Sequence, residues 1–222
     1  MTAPTTDLAP DASPAADGGR APGSARRWGT VALTVAVVLG LLLGYAGGLL
    51  TPRLTRPGDA SAEAGFARDM STHHAQAVEM GLIAFDRGAD AEVRQIGGDI
   101  ATGQQGELGM MQGWLRSWGL DPTGSQPRMA WMPGGTEMMR NGLMPGMATP
   151  EEMTRLRAAQ GRELDILFLD LMIDHHMGGV HMIDGVLEQS DDPEVTRVAQ
   201  TMKNTQQKDL ENLRAARERL GG

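Results

Sequence analysis

Histidine and methionine form the same pattern at two places in the chain. His73 and His74 are adjacent, with Met70 three residues before His73 and Met80 seven residues after it. Imidazole nitrogen and thioether sulfur are both metal ligands, and the softness of thioether favours copper(I) over iron, manganese, calcium or magnesium. The second copy of the pattern consists of Met172, His175, His176 and Met182. These eight residues are the candidate metal ligands.

Two simpler interpretations compete with a metal site. A buried histidine is often a core residue with an ordinary hydrogen-bond partner, and methionine often fills a core. Matching histidine pairs argue against both, since a buried polar ring needs partners and a shared ion supplies them. Ferritin-like di-iron bundles use Glu-x-x-His, whereas Met70 and Met172 replace that carboxylate with thioether. Silver(I) should bind similarly, and zinc could use the imidazoles alone.

The two motifs belong to a longer internal repeat. Residues 66–115 align without a gap onto residues 168–217, at an offset of 102 residues. The matching positions include Phe66 with Phe168, Val78 with Val180, Gln104-Gln105 with Gln206-Gln207, and Leu108 with Leu210. A repeat of this length predicts two helical hairpins related by a pseudo-two-fold axis.

Start and stop signals place two helices in each hairpin. The first helix is predicted from about Ser61 to Arg87, and the second from Asp90 to near Trp118. In the second half, Thr149-Pro150-Glu151-Glu152 is a start signal for a helix that should continue unbroken to about Glu188. The last helix should run from Asp192 to about Leu220. Strand patterns are absent, so the prediction is an all-α, up-down four-helix bundle.

A helical wheel indicates which way each histidine points. His74 should face the core, with His73 and Met80 on one shoulder of the helix. His176 should likewise face inward, with His175 and Met182 on the shoulder. The other predicted inward residues are Met70, Ala77, Gly81, Phe85, Met172, Gly179 and Leu187. The predicted solvated faces carry Arg68, Thr72, Gln76, Glu79, Asp86, Asp170, Asp174, His181 and Glu188.

The connector between the hairpins, residues 120–149, is also rich in methionine. Six methionines lie among Gly and Pro: Met129, Met132, Met138, Met139, Met144 and Met147. A Gly-rich segment buries methionine inefficiently, so core packing explains these residues poorly. The connector is predicted to be either a flexible metal-collecting loop or a lid folded over the end of the bundle.

The N-terminal part predicts a membrane anchor. Residues 1–27 have the composition of a disordered cytoplasmic tail, and residues 28–51 are uncharged and long enough to cross a bilayer. Arg26 and Arg27 favour a cytoplasmic N-terminus. Residues 52–62 then form a linker to an extracytoplasmic metal-binding domain at 63–222. The chain would be secreted instead if the apolar segment were cleaved near residues 46–48.

Composition excludes several classes of function. The formal net charge is −8, which disfavours nucleic-acid binding. The chain has no cysteine, so disulfides, thiolate catalysis and lipoprotein anchoring are excluded. No nucleophile stands in a recognisable catalytic constellation, and we therefore expect no enzyme activity.

Three strings resemble the bacterial domain of unknown function 305 family over about residues 60–217. They are FLDLMIDHHMGGVHM, DMSTHHAQAVEM and the later Gln-Gln-x-Glu/Asp-Leu elements. The resemblance implies a ferritin-like fold and, as in the family's periplasmic copper-binding members, a copper role for the eight candidate ligands. His181 aligns with Glu79, so the second half could bind metal differently, and His181 is a ninth candidate.

Copper(I) binding for sequestration, transfer or tolerance is the leading hypothesis for function. A b-type haem bundle is an alternative, because His and Met are common axial ligands. A metal-free helical interaction module is another. A copper-transfer partner and a second copy of the chain are the two candidate protein partners.

Overall fold

The computed structural model describes residues 24–54 and 56–221, which contain seven helices and no strand. Helix α1 (Ser24–Leu54) belongs to one unit, and the residues from Arg56 onward form another. Of the predicted tail, residues 1–23 lie outside this description. Within α1, the 20 residues Gly29–Gly48 are apolar enough to cross a membrane by length and composition. An N-terminal signal sequence passes the same test.

The first hairpin consists of α2 (Ala62–Arg87) and α3 (Ala91–Trp118). Ser61 caps α2 by accepting a hydrogen bond from the Ala64 amide, and Asp90 caps α3 in the same way. Gly119 ends α3 in the left-handed conformation, with φ of 75°. The predicted boundaries of both helices are therefore confirmed to within one residue.

The second hairpin differs from its prediction at one point. The helix expected to run unbroken from Thr149 to Glu188 is two helices, α5 (Pro150–Ala158) and α6 (Gly161–Gln189), followed by α7 (Pro193–Gly221). The chain is extended at Ala159 and Gln160, and Gly161 has φ of 59°. The Arg87 guanidinium donates to the carbonyls of Arg157 and Ala159, 2.8 and 2.5 Å away, and so satisfies oxygens that the break exposes.

Helices α2 and α6 run antiparallel at the centre of the bundle, and each holds the turn of the opposite hairpin. Asp165, at the start of α6, accepts the backbone N–H groups of Ala89 and Asp90, both at 2.9 Å. Glu63, at the start of α2, accepts the Ser190 hydroxyl at 2.7 Å. Because Glu63 and Asp165 are separated by the repeat offset, these contacts support the predicted pseudo-two-fold relation between the hairpins.

One predicted core residue is not in the core. Phe85 is 57% exposed, although the wheel placed it inward. Beside it, α2 and α3 meet backbone to backbone, since a Cβ added at Gly81 would lie 2.6 Å from the Gly97 carbonyl oxygen. No space for a phenyl ring remains between the helices there, and Phe85 lies outside, over Gly98.

The connector is folded against the bundle and includes the short helix α4 (Gly135–Met138). Buried Asp69 accepts the Met129 amide at 2.7 Å and the Trp131 indole N–H at 2.9 Å. Gln76 both donates to and accepts from the backbone of Ala148, at 2.9 and 2.8 Å. These bonds explain why the predicted solvated face of α2 is only half-exposed around Gln76.

Candidate metal centre

His73 and His175 meet at the centre of the bundle. Their ring centroids are 3.8 Å apart with an interplanar angle of 38°, and each residue is only 1% exposed. The two residues occupy the same position in the repeat, so their contact lies where the pseudo-two-fold axis passes between α2 and α6. The wheel placed both on helix shoulders, and the opposite hairpin together with the connector buries those shoulders.

Each ring of this central pair has a nitrogen without a hydrogen-bond partner. His73 donates from Nε2 to the carbonyl oxygen of Pro145 at 3.1 Å, which leaves Nδ1 unpartnered. Nε2 of His175 is also buried and unpartnered. A buried polar atom without a partner costs roughly 1–3 kcal/mol. A bound cation would remove that cost, so the pair fits a metal site chemically.

Burial keeps the central imidazoles neutral. Desolvation, reinforced by the neighbouring His74 and His176, lowers the pKa of His73 to about 3, against the opposing hydrogen bond to Pro145. The pKa of His175 is lowered well below its ordinary value, first by burial and then by the surrounding histidines. Neutral imidazole is the form that ligates metals. Both residues therefore have their metal-binding protonation state at neutral pH.

These lowered pKa values predict that the metal-free protein loses stability in mild acid. Below the ordinary pKa of 6.5, His73 takes up a proton in the unfolded chain, whereas in the folded protein its imidazole stays neutral down to about pH 3. The free energy of unfolding should therefore fall as pH decreases from 6.5, by about 1.4 kcal/mol per pH unit for each histidine. Urea unfolding at pH 7.5, 6.0 and 5.0 would measure the slope.

His73→Gln is the control for this pH dependence. Most carboxylates titrate below pH 5, so the chosen range reports mainly on histidine. The variant should show a shallower slope than the wild type. An identical slope in both proteins would contradict the assignment of the pH dependence to the central pair.

His74 and His176 flank the central pair and each contacts a carboxylate on the neighbouring helix. Nε2 of His74 donates to Glu107 at 2.7 Å, and Nε2 of His176 donates to Asp209 at 3.3 Å. Carboxylates commonly orient metal-binding histidines through the nitrogen that does not hold the metal. The sequence analysis did not identify Glu107 and Asp209 as partners of the histidines, although both lie in the repeated Gln-Gln-x-Glu/Asp-Leu element.

The two flanking histidines differ in their second nitrogen. Nδ1 of His74 is buried and has no hydrogen-bond partner. Nδ1 of His176 lies 3.1 Å from the carbonyl oxygen of Met172, and both nitrogens of this ring therefore already face acceptors. The described arrangement offers free imidazole nitrogens from His73, His74 and His175, but none from His176.

Each of the two core clusters contains one candidate methionine from each half of the repeat. Met70 and Met182 lie in one core cluster, and Met80 and Met172 lie in the other. All four are fully buried. Because α2 and α6 are antiparallel, sulfur is present in the clusters on both sides of the central histidines. In the described part of the chain, no three His, Asp or Glu side chains are grouped closely enough to hold an ion.

His181 lies apart from the other eight candidates. It is exposed on α6, as predicted, and its Nε2 is 3.0 Å from the sulfur of Met138 in α4. In the first half, the aligned residue Glu79 instead forms an ion pair with Arg157 at 2.6 Å.

The sequence matches one protein family, and solved structures of that family are similar to this one. The family described as Domain of unknown function (DUF305) matches residues 63–217. A DUF305 protein from Streptomyces coelicolor has a similar structure, with 42% identity and a TM-score of 0.68 over 74% of this chain and 97% of that one. A DUF305 fragment from Deinococcus radiodurans has 29% identity and a TM-score of 0.59 over 71% and 96%.

The fold is also similar to that of CopM. The structure of CopM in its Cu(I)-bound form has 19% identity and a TM-score of 0.56, over 75% of this chain and 100% of CopM. Ag-bound CopM has 17% identity and a TM-score of 0.55, over 72% and 98%. At this identity the likeness concerns the fold. No curated protein matches the chain.

Proposed function

Because the chain belongs to the DUF305 family, we propose that it binds copper(I), or silver(I), as cargo between its two helical hairpins. The central observation is that the rings of His73 and His175 are in contact and that each buried ring has a nitrogen without a partner. The metal-bound structures of CopM, which has a similar fold, support the choice of ion.

The residues around the pair would perform distinct tasks. His73 and His175 offer neutral nitrogen. His74, whose ring Glu107 holds in position, adds a buried nitrogen without a partner. Thioethers are present on both sides of the pair, in Met70 with Met182 and in Met80 with Met172. Soft sulfur and imidazole select a thiophilic cation over hard divalent ions. Thioether does not form disulfides, which suits a site outside the cytoplasm.

The proposed role is sequestration, transfer or tolerance of copper, without catalysis. Helix α1 would anchor the chain in the membrane, with the bundle on the extracytoplasmic side, and cleavage after α1 would release it. Haem binding is not favoured by the geometry, because the rings of His73 and His175 are in contact. No gap between them would admit a porphyrin.

Anaerobic titration of the purified full chain with copper(I), in competition with a chromophoric chelator, tests the proposal. We expect at least one ion to bind with a dissociation constant below about 1 μM. A hundredfold excess over that constant should stabilise the folded state by about 2.7 kcal/mol, seen as a higher melting temperature. Silver(I) should act similarly and zinc less strongly, since zinc gains little from thioether. Failure of both copper(I) and silver(I) to raise the melting temperature would refute the proposal.

A further inference from the structure

An open cleft lies between the connector and α6, outside the central histidine pair. Its walls include Met147 from the connector, and Asp174, Met177 and His181 from α6. The three α6 residues are spaced i, i+3 and i+7, so they share one face of the helix. Met177 is 50% exposed, so its sulfur is accessible from the cleft and is not part of the core.

Two soft ligands already meet at the edge of this cleft. Nε2 of His181 lies 3.0 Å from the sulfur of Met138. An imidazole–thioether hydrogen bond is weak, because thioether sulfur is a poor acceptor. With bond lengths of about 2.0 and 2.3 Å to a d¹⁰ ion, tetrahedral nitrogen and sulfur ligands lie about 3.5 Å apart. An opening of roughly half an ångström would therefore admit an ion between the two atoms.

We propose that His181, Met138 and Met177 form a second soft-metal site, open to solvent, that takes copper(I) or silver(I) independently of the buried pair. Met177 projects from the same helix face as His181 and supplies a third ligand. The carboxylates of Asp174 and Glu152 also line the cleft and attract a cation.

The second site exists in one half of the molecule only. The residue equivalent to His181 is Glu79, which is bound to Arg157, and the residue equivalent to Met177 is Ala75. Met138 comes from the connector, which occurs once in the chain. The two hairpins would thus share the buried site, whereas the surface site is specific to the second hairpin and its connector.

Silver(I) titration of the full chain labelled with ¹³C-methyl methionine tests this site by NMR. Assignment comes from Met138→Leu and Met177→Leu, each of which removes one methyl signal. The Met138 and Met177 signals should shift on addition of silver(I). His181→Gln combined with Met138→Leu should abolish the Met177 shift and lower the bound silver by one equivalent. The proposal would be overturned if the Met177 signal still shifted in this double variant, or if it did not shift in the wild type.

Two further variants separate this site from the buried one. Met110→Leu removes another exposed methionine, on α3, and should leave the silver stoichiometry unchanged. In the double variant His73→Gln with His175→Asn, the Met138 and Met177 shifts should persist. Their loss there would refute independence of the two sites. The Met138 and Met177 signals could shift with silver(I) while the signals of the buried methionines do not. That result would support this site and refute the proposed function.

Discussion

Replacing His73 by glutamine and His175 by asparagine together should weaken copper(I) binding at the buried site by at least about 100-fold. Loss of residues that only orient a metal ligand costs about 10–100-fold in affinity, and these substitutions remove two ligands themselves. Each replacement keeps one polar group in place. The glutamine amide can still donate to Pro145, whereas the free Nδ1 is lost. Asparagine reaches the position of Nδ1 of His175 but lacks Nε2. Chelator competition measures the affinity.

His181→Gln is the comparison for the double variant, because it changes a histidine outside the buried pair. It should remove the proposed surface site, and so lower the bound copper(I) by one equivalent, but leave the affinity of the buried site unchanged. Circular dichroism and thermal unfolding of the metal-free double variant would establish that the bundle still folds. A folded double variant with wild-type copper(I) affinity and stoichiometry would show that the central histidines do not bind the ion.

Gly178→Ala should lower the free energy of unfolding by about 2 kcal/mol, a typical cost of overpacking. The added Cβ would overlap the carbonyl group of Pro145 and lie 2.8 Å from the Gly146 amide nitrogen. These are backbone atoms and cannot rotate away, so the connector must shift. The shift would break the hydrogen bond from His73 to Pro145. For a domain of this size, the melting temperature should fall by roughly 4–8 °C.

Gly103→Ala separates the steric effect from the general effect of removing a helical glycine. A Cβ at Gly103 meets no atom within 4 Å. Its replacement should stabilise α3 by up to about 1 kcal/mol, the usual gain from glycine to alanine in a helix. If Gly178→Ala proved as stable as Gly103→Ala, the close packing of the connector on α6 would be refuted.

Local signals were sufficient to predict most of the helix boundaries. Ser61, Asp90 and Gly119 act on backbone groups within a few residues, so their effect is visible in the sequence alone. The break before Gly161 was missed because it depends on Arg87, more than 70 residues away, which binds the freed carbonyls. Phe85 was misplaced for a related reason. A wheel describes one helix and cannot show that glycines bring a second helix into backbone contact.

The repeat identified the candidate ligands, but which of them lie close together depends on the three-dimensional structure. Equal spacing in both halves singled out the histidines and methionines. The sequence did not show that Met70 would lie with Met182, since this follows from the antiparallel crossing of α2 and α6. Nor did it show that Glu107 and Asp209 would each reach a histidine 33 residues away, because that pairing needs the hairpin to close.

The hydrogen bond between His73 and Pro145 has a kinetic consequence. Rings with 1% exposure cannot be touched by a competing chelator while the connector is seated on them. An ion held there could dissociate only when residues 144–148 move away from the rings. Its dissociation rate would not depend on the affinity of the competing chelator. The residence time of the cargo would then depend on the rate of that opening, and long retention would not require exceptional affinity.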